Sequence, residues 1–206
     1  MAEERQQIVT PVGKAYYAHL FKPAVFEGKT GDYEINVVFP ESYTEKLKGM
    51  IDKVLAQAKE SPEFKGKKFT RPLLGYQEKD EDDEVFKGAT VFKFKMKPEG
   101  TNRKTGETFK RKVAVFDASK ALVKDLNIGN GTTVKICATI APYHTSKTVH
   151  GVGLYMEAVQ IINLVEWTGE KSADSYGFEE EEDGFVAGST FDDETGADEP
   201  DEDCDF

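Results

Sequence analysis

ATVFKFKMK, residues 89–97, alternates without a break. Phe92, Phe94 and Met96 fall on one side of an extended chain and Lys93, Lys95 and Lys97 on the other. That two-residue period is the mark of a strand with one dry face and one wet face; on a helix both sets would scatter around the circumference. The turn PEGTNRKTGE (98–107) follows, and then TFKRKVAVF (108–116). Together the three segments predict a hairpin with a basic tip and a basic stripe.

The segments on either side extend the pattern. DYEINVVF (32–39) sets Tyr33, Ile35, Val37 and Phe39 on one face, and Pro40 ends the strand because it has no N–H for a ladder. A helix follows. Ser42 is its expected N-cap, with Glu45 at capping-box spacing. Leu47, Met50, Ile51, Val54, Leu55 and Ala58 then recur at helical spacing and make one apolar stripe. GKAYYAHLFK (13–22) reads as a strand, and TTVKICATIAPYH (132–144) and VGLYMEAVQIINLVEW (152–167) as two long ones joined by the loop 145–151. Residues 117–127 suit a short helical or turn connection. Residues 60–87 hold Pro62, Pro72, a basic block (Lys65–Arg71) and an acidic block (Glu78–Glu84); they read as a long surface excursion.

Strands dominate, one helix is internal, and strands and helices do not alternate as a parallel sheet requires. The expected fold is mainly β: an OB-fold, a five- to six-stranded Greek-key barrel with one capping helix. The expected organisation is one domain over 1–169 and a disordered acidic tail over 170–206. The tail holds sixteen carboxylates and one base, Lys171, which leaves 26 basic and 22 acidic residues in 1–169. The body is therefore +4 and the tail −15, within a chain of net charge −11. A basic body with an anionic arm points to nucleic acid.

Eight bases fall within the twenty residues 93–112: Lys93, Lys95, Lys97, Arg103, Lys104, Lys110, Arg111 and Lys112. A single strand of nucleic acid needs such a positive track for its phosphates and exposed rings for its bases. Lysines on an outer strand face can equally serve solubility alone. Tyr33 is in phase with the core. Tyr16 and Tyr17 are neighbours, so on a regular strand they face opposite ways and one faces outward. Tyr143 ends a strand beside His144 and Lys147, the expected place for a stacking platform, and His144 suits a loop residue that touches phosphate. Phe109 and Trp167 are further aromatic candidates.

Other chemistry finds little support. His19, His144 and His150 have no cysteine or carboxylate at zinc spacing. The acidic block lacks the spaced ligands and central glycine of a calcium loop. GxSxG, Walker and HExxH motifs are absent from the sequence, and the glycines of GVG (151–153) precede no helix that could receive a phosphate. Asp117 and Glu157 remain as the pair a magnesium-dependent nuclease would need. No cofactor, no metal and no enzymatic activity are expected. The charged start MAEERQQIV, the lack of an apolar run of membrane length and the far-separated Cys137 and Cys204 suit a cytoplasmic protein. In the tail, Phe178, Phe185 and Phe191 punctuate the acids, and Asp203, Asp205 and Phe206 form an acidic–aromatic peptide suited to a basic pocket with an apolar floor. A rival reading makes the acids the active surface of an interaction adaptor or DNA mimic.

GDYEINVVFP running into the helix, TVFKFKMK with the turn NRKTGE and the strand KVAVFDASK, VKICATIAPYH and the terminal DEDCDF resemble the single-stranded DNA-binding proteins of tailed phages, the podophage replication type. The resemblance implies an OB-fold that coats single-stranded DNA in replication, recombination and repair. It implies a stacking role for Tyr143 and DNA contacts for Lys93 and Lys95. It also implies an acidic tail that competes with DNA and contacts the DNA polymerase and helicase-primase through its last aromatic, and a homodimer in which one subunit's tail lies near the other's groove. The excursion at 60–87 has no counterpart in it.

Overall fold

The computed structural model describes residues 6–102, 104–167 and 169, all within one compact unit, Met1–Gly169. Arg103 and the tail, with Asp203, Asp205 and Phe206, lie outside the described residues. The elements in chain order are β1 (Gln6–Val9), β2 (Gly13–His19), β3 (Val25–Phe26), β4 (Lys29–Thr30), β5 (Tyr33–Val38), α1 (Glu41–Glu60), β6 (Tyr76–Glu78), β7 (Thr90–Met96), β8 (Glu99–Thr101), β9 (Thr108–Lys110), β10 (Ala114–Phe116), β11 (Thr133–His144) and β12 (His150–Asn163).

Five strands close a barrel in the order β2-β5-β7-β12-β11, with β11 returning to β2. All neighbours are antiparallel except β7 and β12, which run parallel. Each barrel strand therefore has a hydrogen-bonded neighbour on both sides. The two long strands also serve as scaffolds beyond it: β1 adds to β11, and β10 adds in parallel to β12. The core is the one the alternation predicts. Tyr33, Ile35, Val37 and Phe39 are all buried, and Phe92 and Phe94 are fully enclosed. Gly13 is required by this packing, since a Cβ there would meet the Phe39 ring and Val37 at 2.6 Å.

α1 packs on β11 and β12 through Leu47, Ile51, Val54, Leu55 and Ala58. Each of the larger side chains contributes roughly 1.5–3 kcal/mol by leaving water. Ser42 is not the cap. The helix starts one residue after Pro40, whose carbonyl takes the N–H groups of Tyr43 and Thr44, both at 3.0 Å. Proline fixes the backbone at the entry, so no side-chain cap is used.

The 89–116 hairpin is corrected. β7 ends at Met96 and pairs with β5, β6 and β12. The stretch 108–116 divides: its first part, β9, pairs with β8 in a separate two-stranded ribbon, and its last part, β10, joins β12. Residues 117–127 form a turn connection with a bridge between Phe116 and Leu122.

The 60–87 excursion is also more ordered than its composition suggests. β7 and β12 pair directly only at Phe94–Leu154 and Lys95–Tyr155. The gap beyond is filled by residues 73–78. Leu73 donates to His150 and accepts from Val152 (3.0 and 2.9 Å), Gly75 accepts from Lys93 (2.9 Å), and β6 pairs with β7. Gly151 permits the crossing: its φ is +150° and a Cβ would overlap the Leu73 backbone. The earlier part of the excursion is pinned by rings. Phe69 sits edge-on to His144 and His150, which stack on each other at 5.1 Å.

Candidate nucleic-acid interface

On the outside of the barrel, β2, β5, β7, β11 and β12 and the wedge 73–78 border an open cavity of about 800 Å³. Its cations are Lys79, Lys93 and Lys95, its rings are Tyr17, Tyr76, Phe86 and Tyr143, and Asn36 and Gln77 add amides; no Asp or Glu is among its lining residues. In a chain with 38 acidic residues against 27 basic ones, that local composition is selective.

Lys93 and Lys95 reach this face because Phe92 and Phe94 take the other. The Lys93 ammonium holds the Glu34 carboxylate at 2.7 Å. Glu34 stands on the neighbouring strand, so it tethers Lys93 and partly neutralises it. The Lys95 ammonium lies 5.5 Å from the centre of the Tyr143 ring, within cation–π range. Tyr143 is partly exposed on β11, where it pairs with Gly151. Burial pushes its phenol pKa up, and burial first, then Tyr143 and Asp32, does the same for Tyr155. Both phenols are therefore neutral at pH 7, and Tyr143 puts no anion in the groove.

Tyr16 and Tyr17 do not face opposite ways. β2 shifts register against β5 between Tyr16 and His19, and Tyr17 has a left-handed backbone (φ 50°) with its N–H held by Asn130 Oδ1 at 2.9 Å. This bulge breaks the alternation. Both rings then meet Phe86 edge-on, at 5.0 and 6.2 Å. Tyr17, about half exposed, lines the cavity, and Tyr16 is the more buried of the two.

The other candidates sit elsewhere. Lys97, past the end of β7, lines a second crevice of about 380 Å³ with Thr30, Gly31, Asp32, Pro98 and Glu99. Lys104 and Lys110 are exposed on the β8–β9 ribbon, and Arg111 lies 5.3 Å from the Phe109 ring just after it. Lys112 is exposed in the link to β10, and Lys147 is exposed in the turn between β11 and β12. His144 is corrected from a loop residue to the last residue of β11. Its Nε2 faces the Lys68 carbonyl at 3.1 Å, and since a carbonyl only accepts, Nε2 is the donor. That contact anchors the excursion to the end of β11. Asp117 and Glu157 are occupied as well. Asp117 caps a turn through Ser119 Oγ and the Ala121 N–H, which hold its pKa below the ordinary value, and Glu157 accepts from Thr139 Oγ1 and Gln7 Nε2.

The family model for the single-stranded DNA-binding protein of bacteriophage T7 matches residues 12–164. The chain belongs to that family. Among curated proteins it is 26% identical over 223 residues to the single-stranded DNA-binding protein of Escherichia phage T7, covering 92% of this chain and 94% of the relative. It is 24% identical over 189 residues to that of Enterobacteria phage T3, covering 83% and 81%. The crystal structure of the T7 protein, gp2.5, superposes with a TM-score of 0.61 at 25% identity, over 89% of this chain and 99% of that one. The single-stranded DNA-binding protein of bacteriophage Enc34, solved in complex with ssDNA, shares the fold at 17% identity and a TM-score of 0.55, over 79% and 89%. The OB-type barrel expected from the sequence is thus the fold of this family.

Within this family member, the sequence reading did not find Lys79, Tyr76 and Phe86. One signal was available. Phe86 is the only aromatic between Tyr76 and Phe92, and it follows a run of acids that has no use for a buried ring of its own.

Proposed function

We propose that this protein binds single-stranded DNA without regard to sequence, in phage replication and recombination within an infected bacterial cell. One observation carries the reading: an open cavity whose charged lining is three lysines and no carboxylate, with four aromatic rings beside them. Its relative in phage T7 is a single-stranded DNA-binding protein. Phosphates run past Lys93 and Lys95, and Lys93 exchanges its contact with Glu34 for one with DNA. Bases stack on Tyr143 and Tyr17. Stacking uses a ring face that every base has, so it selects no sequence. Lys97, Lys112, Lys147, the ribbon bases Lys104, Lys110 and Arg111, and Arg103 add attraction at longer range.

The tail, at −15 against a body of +4, competes with DNA for the same lysines. Its Asp203, Asp205 and Phe206 recruit a DNA polymerase and a helicase-primase once DNA has displaced it, and the protein works as a homodimer. The test titrates labelled single- and double-stranded oligonucleotides with the full chain and with residues 1–169, at two salt concentrations. The truncated protein should bind single strands more tightly, most clearly at low salt, because ions screen the tail's attraction to the groove. Equal or weaker binding by 1–169 removes the competition. Failure of both forms to bind single strands returns the adaptor reading.

A further inference from the structure

Residues 79–89 form a closed loop that borders the cavity through Lys79 and Phe86. Lys79 donates its N–H to the Ala89 carbonyl at 3.1 Å, so the two ends of the loop meet. Inside, the Asp83 carboxylate accepts the N–H groups of Val85 and Phe86 at 3.0 and 2.9 Å and pairs with the Lys79 ammonium at 3.9 Å. Those contacts, with the Phe86 N–H first, hold the Asp83 pKa below its ordinary value. Among the described residues, every recorded hydrogen bond of 80–88 closes within 79–89. The loop meets the barrel through Phe86, whose ring leans on Tyr16 and Tyr17, and the Lys79 ammonium lies 5.5 Å from the centre of that ring.

The loop holds five carboxylates, Asp80 to Glu84, and such a segment beside a DNA groove ought to repel. Yet none of the five lines the cavity, while Lys79 and Phe86 do. The loop therefore presents one cation and one ring to the groove and keeps its acids out of it. The Tyr17 contact, at 6.2 Å, is the wider of the two edge-on contacts of Phe86, and a base entering there would replace it with stacking on a ring face.

We infer that Phe86, positioned by Asp83 and accompanied by Lys79, is a second base-stacking residue, paired with Tyr17 and additional to Tyr143. This rests on the single-stranded DNA reading above. It assigns the part of the excursion that the barrel does not use to substrate binding, as an aromatic clamp whose lysine meets the neighbouring phosphate.

The test measures binding of labelled oligothymidylate by the full-length chain carrying Phe86→Ala, Phe86→Leu or Phe86→Trp, with Tyr143→Ala as reference. Loss of one stacked base is worth roughly 5- to 150-fold in affinity. Phe86→Ala should fall in that range. Phe86→Leu, which keeps apolar bulk against the tyrosines, should bind no better than Ala, and Phe86→Trp should bind like wild type. The added indole of Phe86→Trp should be quenched by oligothymidylate beyond any change in the wild-type chain. Rescue by Leu, or an unquenched indole, makes Phe86 a packing residue and overturns the inference. Wild-type affinity in Phe86→Ala overturns it too. If Tyr143→Ala still weakens binding in those cases, the groove stands without the clamp; if neither variant matters, the groove reading itself fails.

Discussion

Lys93 and Lys95 stand on β7, a strand hydrogen-bonded on both sides within a closed barrel, whereas Lys104, Lys110 and Arg111 stand on or beside a ribbon of two three-residue strands that forms its own sheet. The two regions are comparably basic. They differ in company. The barrel lysines share a cavity with Tyr17, Phe86 and Tyr143, and Lys95 is within cation–π range of one of those rings. On the ribbon, Glu99 lies opposite Lys110 in register, and Arg111 lies beside the Phe109 ring. Charge alone attracts DNA at a distance; charge set next to rings on a rigid wall fixes it. The first is screened over roughly 8–10 Å at ordinary salt; the stacking part of the second is not lost that way.

The difference is broken most severely by reversing the wall. Lys93→Glu with Lys95→Glu changes the interaction with two phosphates by two unit charges each. At a separation of about 4 Å in a water-like medium that is roughly 4 kcal/mol in total at low salt. A nitrocellulose or anisotropy titration should show that loss, with a salt slope shallower by about 1.4, since each contact on a single strand contributes about 0.7. An unchanged slope would mean that phosphates do not pass the wall. Tyr143→Ala comes next. It should cost about 1–3 kcal/mol of single-strand affinity if a base stacks there, and it should leave the salt slope alone, because no charge is removed. The two variants thus separate the ionic from the stacking half of the same site.

How far the sequence could foresee this site depends on the range of the contact involved. Phe92, Phe94, Lys93 and Lys95 were legible because a strand's period of two is local and one face must be dry. The helical stripe from Leu47 to Ala58 was legible for the same reason with a period of 3.6. Residues 73–78 were not. They become a wall only because β7 and β12 diverge after two paired residues and Gly151 leaves room for the Leu73 backbone, and no local pattern reports a distant gap. Tyr17 was misjudged through its backbone: the bulge at φ 50° turns it towards the same ring as Tyr16. His144 was legible near the turn but its anchor was not, since the Lys68 carbonyl that meets its Nε2 lies 76 residues away. In TFKRKVAVF one apparent strand became two because its partners, β8 and β12, are different.

The smallest effect is the one that decides what the ribbon is for. Lys104→Gln, Lys110→Gln and Arg111→Gln together remove three positive charges without touching the cavity lining. If the ribbon acts only through its field, affinity near physiological salt should fall by no more than about 0.5 kcal/mol, the range of ordinary surface changes. The loss should grow as salt is lowered and the Debye length lengthens. The salt slope should therefore flatten only slightly. Direct phosphate contact gives a different signature: three lost contacts would flatten the slope by about 2. A flattening of that size would extend the DNA path past Met96, along Lys97 and the ribbon. The wall and the ribbon would then be two stretches of one track, and Lys97 in its separate crevice would be the link between them.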